Sequence, residues 1–312
     1  LDTNDIWGIP LDEFHVIGNP PYSTDPSEPS PKALYNIFIE KYIEAHTLLF
    51  VVPSRWFVGG KGLDKFRLFM TQRKDIKLIH HEDNEKKWFG ETVEIKGGVN
   101  YFLKDKNYNG PCLFNGTPIN LNEYDCIINP IHHTLINLIK DKTTLDTIYH
   151  GQGHYSIKTN DPRLLEEIDE DDENLLKCYV SVKKSKNRIR YIHKNQLTTR
   201  NSYQNWKVIT PRACMGAGSG FHEIFIGRPG ELCNQSYIFF EVDTVDNAKS
   251  LQSYLKTKFA NHMLSIRKIS QDISGKTCKW IPLVPLDRIW SDDEVKEHFK
   301  FSDEIISQYM QL

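Results

Sequence analysis

The chain has 312 residues, 39% of them hydrophobic, which is enough to build the cores of two domains of about 100 to 200 residues each. It contains no apolar run near the roughly 20 residues of a membrane span, and residues 1–5 lack the basic start of a signal peptide. A cytoplasmic protein with no membrane partner is therefore expected. The six cysteines are scattered without a Cys-x-x-Cys pair, which argues against a zinc site or a disulfide framework and predicts reduced thiols.

The formal net charge of -2 hides a strong separation of charge along the chain. Between Lys177 and Arg228 there are eleven Lys or Arg residues and a single carboxylate, Glu223, whereas Glu166 to Glu173 holds seven carboxylates in eight positions. The basic stretch predicts a surface that can contact phosphates, and the acidic run predicts a solvated loop. A lysine-rich solvated face without a ligand is the alternative that composition leaves open.

The first part of the chain alternates between strand and helix patterns. Residues 14–18 form an apolar strand that ends at Gly18 and the prolines at 20 and 21, because proline cannot donate to a β-ladder. The later predicted elements are a helix over 33–45, a strand over 48–52, a helix over 62–73 and strands over 76–80 and 99–103. The alternation predicts a doubly wound α/β unit, with its ligand site at the carboxyl ends of the strands, where residues 19–22 fall.

From about residue 129 the pattern changes to short strands and glycine-rich turns, such as those at 151–153 and 216–220. This change predicts a second, mixed domain, so that the two predicted domains are 1–128 and 129–312. Two helices are expected in the second domain, over 246–262 and 292–311.

The segment Ile17-Gly18-Asn19-Pro20-Pro21-Tyr22 resembles the [DNS]-P-P-[YFW] signature of amino-methyltransferases. Its NPPY form after an apolar strand is similar to the gamma class of DNA adenine-N6 methyltransferases, the Eco57I-like and TaqI-like modification methylases. Residues 34–40, 50–56 and 96–103 resemble the family's next helix, following strand and last core strand, and 280–286 resembles the close of its recognition domain. The resemblance implies an α/β fold: the C-terminal half of a Rossmann-like methyltransferase sheet, then a mixed α+β target-recognition domain with a C-terminal helix.

The resemblance also implies a reaction, the transfer of a methyl group from S-adenosylmethionine to a flipped-out adenine in double-stranded DNA. The Asn19 side-chain oxygen and the Pro20 carbonyl would accept the amino protons of the adenine, and Tyr22 would stack on its face. In the family a second aromatic covers the other face of the base. Phe89 is the residue predicted for this role, with Trp88 beside it.

The family's cofactor loop is not found before this motif. Relatives carry a glycine-rich loop and an acidic residue for S-adenosylmethionine upstream of NPPY, whereas the 18 residues before Asn19 contain no Gly-x-Gly. The main cofactor-binding residues are therefore expected outside this chain. We expect a fragment or subunit whose cofactor-binding half is supplied elsewhere, and which does not methylate alone.

The basic stretch lies where the gamma class has its recognition domain. Side chains predicted to contact the phosphate backbone are Lys183, Lys184, Lys186, Arg188 and Arg190. Base readout would require side chains such as Arg200, Asn201, Gln204 or Arg212 at the groove edges. A plain surface or packing role is the alternative for each of them.

Two other functions are open to the sequence. Asp83, Glu94 and Lys96 imitate the pattern of a metal-dependent nuclease. A DNA-specificity subunit that binds its target without catalysis is the non-enzymatic alternative, although a pure reader has no need of the NPPY segment. No metal site is predicted at the pairs His80-His81 and His132-His133, because adjacent strand residues point to opposite faces.

Overall fold

The computed structural model describes residues 8–25, 27–28, 31–91, 95, 97–151, 153–166, 172–181, 188–197, 203–213, 220–268 and 271–310, with side chains to 307. The chain divides into two compact units, Leu1–His133 and Thr134–Leu312. The sequence placed a domain boundary a few residues earlier, after 128. The predicted mixture of helices and strands is confirmed. Of the three sheets in the described residues, two contain both parallel and antiparallel pairs, and the four-stranded sheet is antiparallel.

A six-stranded sheet organises the first unit. Its strands are β1 (His15–Gly18), β2 (Thr47–Pro53), β3 (Ile76–Glu82), β4 (Val99–Asp105), β5 (Cys112–Phe114) and β6 (Thr117–Ile119), in the spatial order β1-β2-β4-β3-β5-β6. The helices of this unit are α1 (Tyr35–Tyr42), α2 (Asp64–Thr71) and the single turn α3 (Lys86–Phe89), and α4 (His133–Ile139) begins at its last residue. The predicted strands and helices at 14–103 are all present, with ends shifted by a few residues.

The sheet is not doubly wound throughout. β1 and β2 are parallel, but β4 runs antiparallel to both β2 and β3, so that a reversed strand stands between two strands of the forward direction. Alternating apolar residues explain why one face is buried: Leu48, Phe50, Val52 and Phe102 pack with Tyr35 and Phe66 from the two longer helices in one core cluster. Residues of the opposite face, such as Leu49 and Tyr101, are only half-buried.

The second unit contains two smaller sheets. Its strands are β7 (Tyr149–His150), β8 (Leu175–Tyr179), β9 (Ile189–His193), β10 (Trp206–Pro211), β11 (Phe225–Gly227), β12 (Leu232–Cys233) and β13 (Tyr237–Val242), in the orders β11-β10-β13-β7 and β12-β8-β9. Its helices are α5 (Val245–Leu255), α6 (Lys258–Arg267), α7 (Gly275–Cys278), α8 (Asp292–Phe299) and α9 (Asp303–Met310). Among the described residues, none of the helices has the length and apolar character that crossing a membrane requires.

Both long helices predicted in this unit are wrong as single helices. The stretch 246–262 is broken by Thr257, whose side-chain oxygen accepts a hydrogen bond from the Ala260 amide at 3.2 Å and starts α6 as a new helix. The terminal stretch is broken at Lys300, which adopts the left-handed conformation with a φ of 53° at the end of α8.

Candidate functional site

Four strand ends bring polar residues to one edge of the six-stranded sheet. Residues 19–22 follow β1, and Ser54 follows the parallel strand β2. The antiparallel strand β4 begins at the same edge with Val99 and Asn100, and β3 ends there with His81 and Glu82. The NPPY segment therefore shares its edge with side chains that lie far from it in the sequence.

The NPPY segment is held by the chain on either side of it. Pro20 is buried, Tyr22 is half-buried and Asn19 is exposed. After Tyr22 the chain folds back on itself: the Leu34 amide donates to the Tyr22 carbonyl at 3.1 Å, and Ser23 and Ala33 form a β-bridge. Burial raises the pKa of the Tyr22 phenol, while the nearby Asn19 side chain opposes that rise.

The two aromatic residues predicted to sandwich a base lie next to each other. The ring centroids of Tyr22 and Phe89 are 6.4 Å apart, and the ring planes are inclined by 83°. This is an edge-to-face contact, in which the edge of one ring points at the face of the other. The structure thus brings these two side chains together but does not set their faces parallel.

A hydrogen-bonded chain of side chains links the ends of β2, β3 and β4. His81 Nδ1 lies 2.8 Å from Ser54 Oγ, and its Nε2 lies 2.7 Å from Asp83 Oδ1. The Asn100 amide nitrogen donates to Ser54 Oγ and to the Val52 carbonyl, both at 3.1 Å. The hydrogen bond with His81 holds the pKa of the Asp83 carboxyl below its usual range. Sequence reasoning missed this network, because nothing in the spacing of its residues marks them as partners.

Only one of the three residues of the nuclease pattern, Asp83, lies among the described residues. The Asp83 carboxylate is engaged by His81, and Glu94 and Lys96 lie outside the part of the chain that the structure describes. No group of three or more His, Cys, Asp or Glu side chains in that part could hold a metal ion. His80 and His81 do point to opposite faces of the sheet, since His80 stacks on Tyr101 whereas His81 contacts Phe57.

The predicted DNA-contacting arginines that are described all face carboxylates. Arg188 forms an ion pair with Glu223, Arg190 lies 2.9 Å from Glu166, and Arg212 lies 3.6 Å from Asp272. Gln204 is exposed. Five other residues of this set fall outside the described residues: Lys183, Lys184, Lys186, Arg200 and Asn201.

One comparison with known families concerns the sheet edge just described. Residues 13–89, which include both the NPPY segment and Phe89, match the family described as Eco57I restriction-modification methylase. Over these residues the chain is similar to Eco57I-like methylases. The resemblance to Eco57I-like modification methylases is thereby confirmed.

A curated relative of this Eco57I-like chain is an uncharacterized adenine-specific methylase of Mycoplasma pneumoniae. The two are 34% identical over 107 residues, which cover 32% of this chain and 25% of the relative. The chain therefore matches about a quarter of the length of that protein.

Two solved structures resemble the chain more distantly. The type IIG restriction endonuclease BpuSI is 12% identical with a TM-score of 0.37, over 89% of this chain and 44% of that protein. The type IIL restriction-modification enzyme MmeI, solved in complex with DNA, is 11% identical with a TM-score of 0.42, over 93% of this chain and 47% of that protein.

Proposed function

We propose that this chain supplies the adenine-holding part of a sequence-specific DNA adenine-N6 methyltransferase of a restriction-modification system. The observation that carries the proposal is the position of the NPPY segment at the carboxyl end of β1, with Phe89 against Tyr22, inside the segment matched by the methylase family. The relative from Mycoplasma pneumoniae is named as an adenine-specific methylase, which agrees with an adenine substrate.

The residue types at 19 and 20 suit an attack by an amino group. The exocyclic nitrogen of adenine is a poor nucleophile because its lone pair is delocalised into the ring. Acceptors for its two protons favour the pyramidal, nucleophilic form, and the Asn19 side-chain oxygen and the Pro20 carbonyl are such acceptors. The buried Pro20 ring and the following Pro21 restrict the direction of that carbonyl. The chemistry then needs well-placed acceptors rather than a strong base.

Tyr22 and Phe89 suit the binding of an extrahelical base. An adenine inside a duplex is out of reach, so it must leave the helix, and stacking on Tyr22 would compensate part of the cost of unpairing. An edge-to-face pair at 6.4 Å has no space for a base between its rings. We therefore propose that the Phe89 ring turns out of its contact with Tyr22 when the base enters and then covers the other face of the base.

We propose that the main binding residues for S-adenosylmethionine, the methyl donor that the family implies, lie outside this chain. The glycine cluster at 59–62 is built against the start of α2, since a Cβ on Gly59 would lie 2.8 Å from the Asp64 carboxylate. The space beside Gly59 is therefore occupied by an acid of the chain itself.

We propose that the cofactor-binding part packs beside β1. Among the described strands, β1 pairs only with β2, and Ile17 is 77% exposed on it. An open apolar edge strand favours aggregation unless another strand or a covering element meets it. A further strand from the cofactor-binding part, in this polypeptide or in a partner subunit, would cover that edge.

The second unit is proposed as the recognition domain for double-stranded DNA. Its basic stretch would contact phosphates, which fixes the position of a protein on the duplex without reading the sequence. Arg188 and Arg190 would then exchange their carboxylate partners for phosphates.

Replacement of Asn19 tests the catalytic proposal in the complete methyltransferase. We expect Asn19→Ala to lower the methyl-transfer rate by roughly 100-fold or more, as loss of one transition-state acceptor or donor does elsewhere. Binding of the target DNA, measured by fluorescence anisotropy, should change little. Unchanged methyl transfer in Asn19→Ala would instead favour a DNA-specificity subunit that leaves catalysis to a partner.

A further inference from the structure

Phe89 lies on a short segment whose position depends on contacts with the rest of the fold. The helix α3 that carries it is a single turn, Lys86–Phe89, and a single helical turn is unstable without tertiary contacts. We name residues 83–91 the Phe89 arm. The contacts that hold this arm on the sheet therefore decide where the Phe89 ring stands relative to Tyr22.

Trp88 holds the helical turn of the Phe89 arm against the sheet. The Trp88 ring stacks on His80, with centroids 5.9 Å apart and planes inclined by 10°, and on Tyr101, at 5.7 Å and 29°. His80 and Tyr101 are a cross-strand pair of β3 and β4, stacked on each other at 5.1 Å. Two adjacent residues of the arm thus have different partners: Trp88 contacts the sheet and Phe89 contacts Tyr22.

His81 holds the first residue of the Phe89 arm. Its ring bonds Asp83, the first residue of the arm, and also lies 3.1 Å from the carbonyl of Val99, the first residue of β4. Gly98 packs so tightly at this point that a Cβ would fall 2.4 Å from the Glu82 carbonyl oxygen and 2.8 Å from the His81 ring. The two ends of the connection between β3 and β4 therefore meet at one histidine.

The contacts of His81 are those of a structural anchor. Ser54, His81 and Asp83 stand in an order that resembles a hydrolytic triad, but Ser54 is only 2% exposed and its oxygen already accepts a hydrogen bond from Asn100. Because Ser54 directly follows β2 and Asn100 lies in β4, their hydrogen bonds tie the ring of His81 to the sheet.

We propose that Trp88 and His81 are positioning residues, which set Phe89 opposite Tyr22 and so govern how tightly the extrahelical adenine is held. The inference rests on the proposed function. Neither side chain needs to touch the base, since both act through the Phe89 arm.

The test uses the complete methyltransferase and duplex DNA with 2-aminopurine at the target adenine, whose fluorescence rises when the base leaves the stack. We expect Trp88→Leu to reduce that rise and to lower single-turnover methyl transfer by roughly 10- to 100-fold, as misplacement of a positioning group does. Affinity for S-adenosylmethionine should stay unchanged, and Trp88→Phe should restore most of the loss because it keeps an aromatic ring on the stack.

A double-mutant cycle decides whether Trp88 acts through Phe89. In a Phe89→Ala background, Trp88→Leu should cause no further loss, because the side chain that it positions is gone. Equal losses in both backgrounds, or no loss from Trp88→Leu in the wild type, would overturn the proposal. If Trp88→Leu does not fold, as judged by circular dichroism, the same cycle is run with His81→Gln, with the same expected and contrary outcomes.

Failure of the proposed function gives a different result. If Asn19→Ala and Phe89→Ala both leave methyl transfer intact, the chain is not the adenine-holding part. If both impair it while Trp88→Leu and His81→Gln leave base insertion unchanged, only the assignment of the two positioning residues is wrong.

Discussion

At the scale of single residues, mutation of Tyr22 can separate the contribution of its ring to base binding from that of its hydroxyl group. The half-buried ring would supply the stacking, which is worth about 1 to 3 kcal/mol per base. We expect Tyr22→Ala to weaken the binding of DNA with a mismatched, easily flipped target adenine by that amount, and Tyr22→Phe to bind almost as the wild type does. Titration of labelled duplex with the complete enzyme measures both, and equal losses in the two variants would show that the hydroxyl group, not the ring, holds the base.

The Asp161 carboxylate offers a test of stability in the second unit. It is 8% exposed, accepts two hydrogen bonds from the Arg163 guanidinium at 2.8 Å and two more from the backbone amides of Lys158 and Arg163. The side-chain hydrogen bond from Arg163 is the main reason that the pKa of Asp161 lies well below its usual range. The carboxylate therefore stabilises the fold only while it is charged.

The sign of the pH dependence follows from this lowered pKa. A lowered pKa in the folded state gives stability that is present in full above the ordinary aspartate value of about 4 and declines as the pH falls below it. We expect Asp161→Asn to cost about 2 kcal/mol at pH 7, with the difference from the wild type shrinking between about pH 4 and pH 2. Chemical unfolding of the full chain across this range measures it. A difference that is independent of pH would show that the charge is not responsible.

At the scale of elements, the regular parts of the fold could be predicted and the interruptions could not. Strands such as β2 follow from a short apolar run closed by proline. No glycine or proline in the sequence marks the helix break at Lys300. The break depends instead on the packing of Phe301, whose ring centroid lies 5.1 Å from that of Phe259 and 5.2 Å from that of Phe299. Antiparallel insertion of β4 between β2 and β3 is equally absent from a one-dimensional pattern.

Thr257 is the element-scale position where the break itself can be tested. Its hydroxyl oxygen caps α6 by accepting a hydrogen bond from the Ala260 amide, and the hydroxyl group donates a hydrogen bond to the Tyr254 carbonyl at 2.7 Å. Loss of such a cap costs about 1 kcal/mol, so Thr257→Ala should destabilise the chain by about that much, whereas Thr257→Ser keeps the hydroxyl and should cost less. Unfolding in urea compares the two variants, and equal stability of both would contradict the capping role.

The candidate site, like the fold, could be predicted from the sequence only in part. Asn19, Pro20 and Tyr22 could be predicted because they are contiguous and follow a strand, and Phe89 because a resemblance to a family pointed to it. Ser54 and His81 are 27 positions apart, and only the strand order β2-β4-β3 brings them to one network. Site residues that depend on the register of distant strands require the structure.

At the scale of the whole molecule, residues that form a basic stretch in the sequence lie beside carboxylates in the folded chain. The basic stretch contains Arg188 and Arg190, yet their partners come from positions 35 and 24 residues away, Glu223 and Glu166. A β-bridge between Leu165 and Tyr191 explains the second pair, because it places the start of the acidic run beside β9. The proposed DNA surface is therefore partly neutralised within the chain, and DNA must compete with these carboxylates.

This competition makes a prediction for DNA binding by the complete protein. Glu223→Gln removes the carboxylate partner of Arg188 in the unbound state, so the affinity for duplex DNA should rise by about two- to fivefold, the range expected for loss of an exposed ion pair. Arg188→Ala should lower the affinity and reduce the slope of log affinity against log salt by about 1, the value for one lost phosphate contact. Lys249→Ala is the matched control, because this exposed lysine of α5 lies outside the basic stretch and pairs with Asp246. Binding measured by anisotropy at several salt concentrations gives both quantities, and if Arg188→Ala behaves like the control, Arg188 does not contact the phosphate backbone.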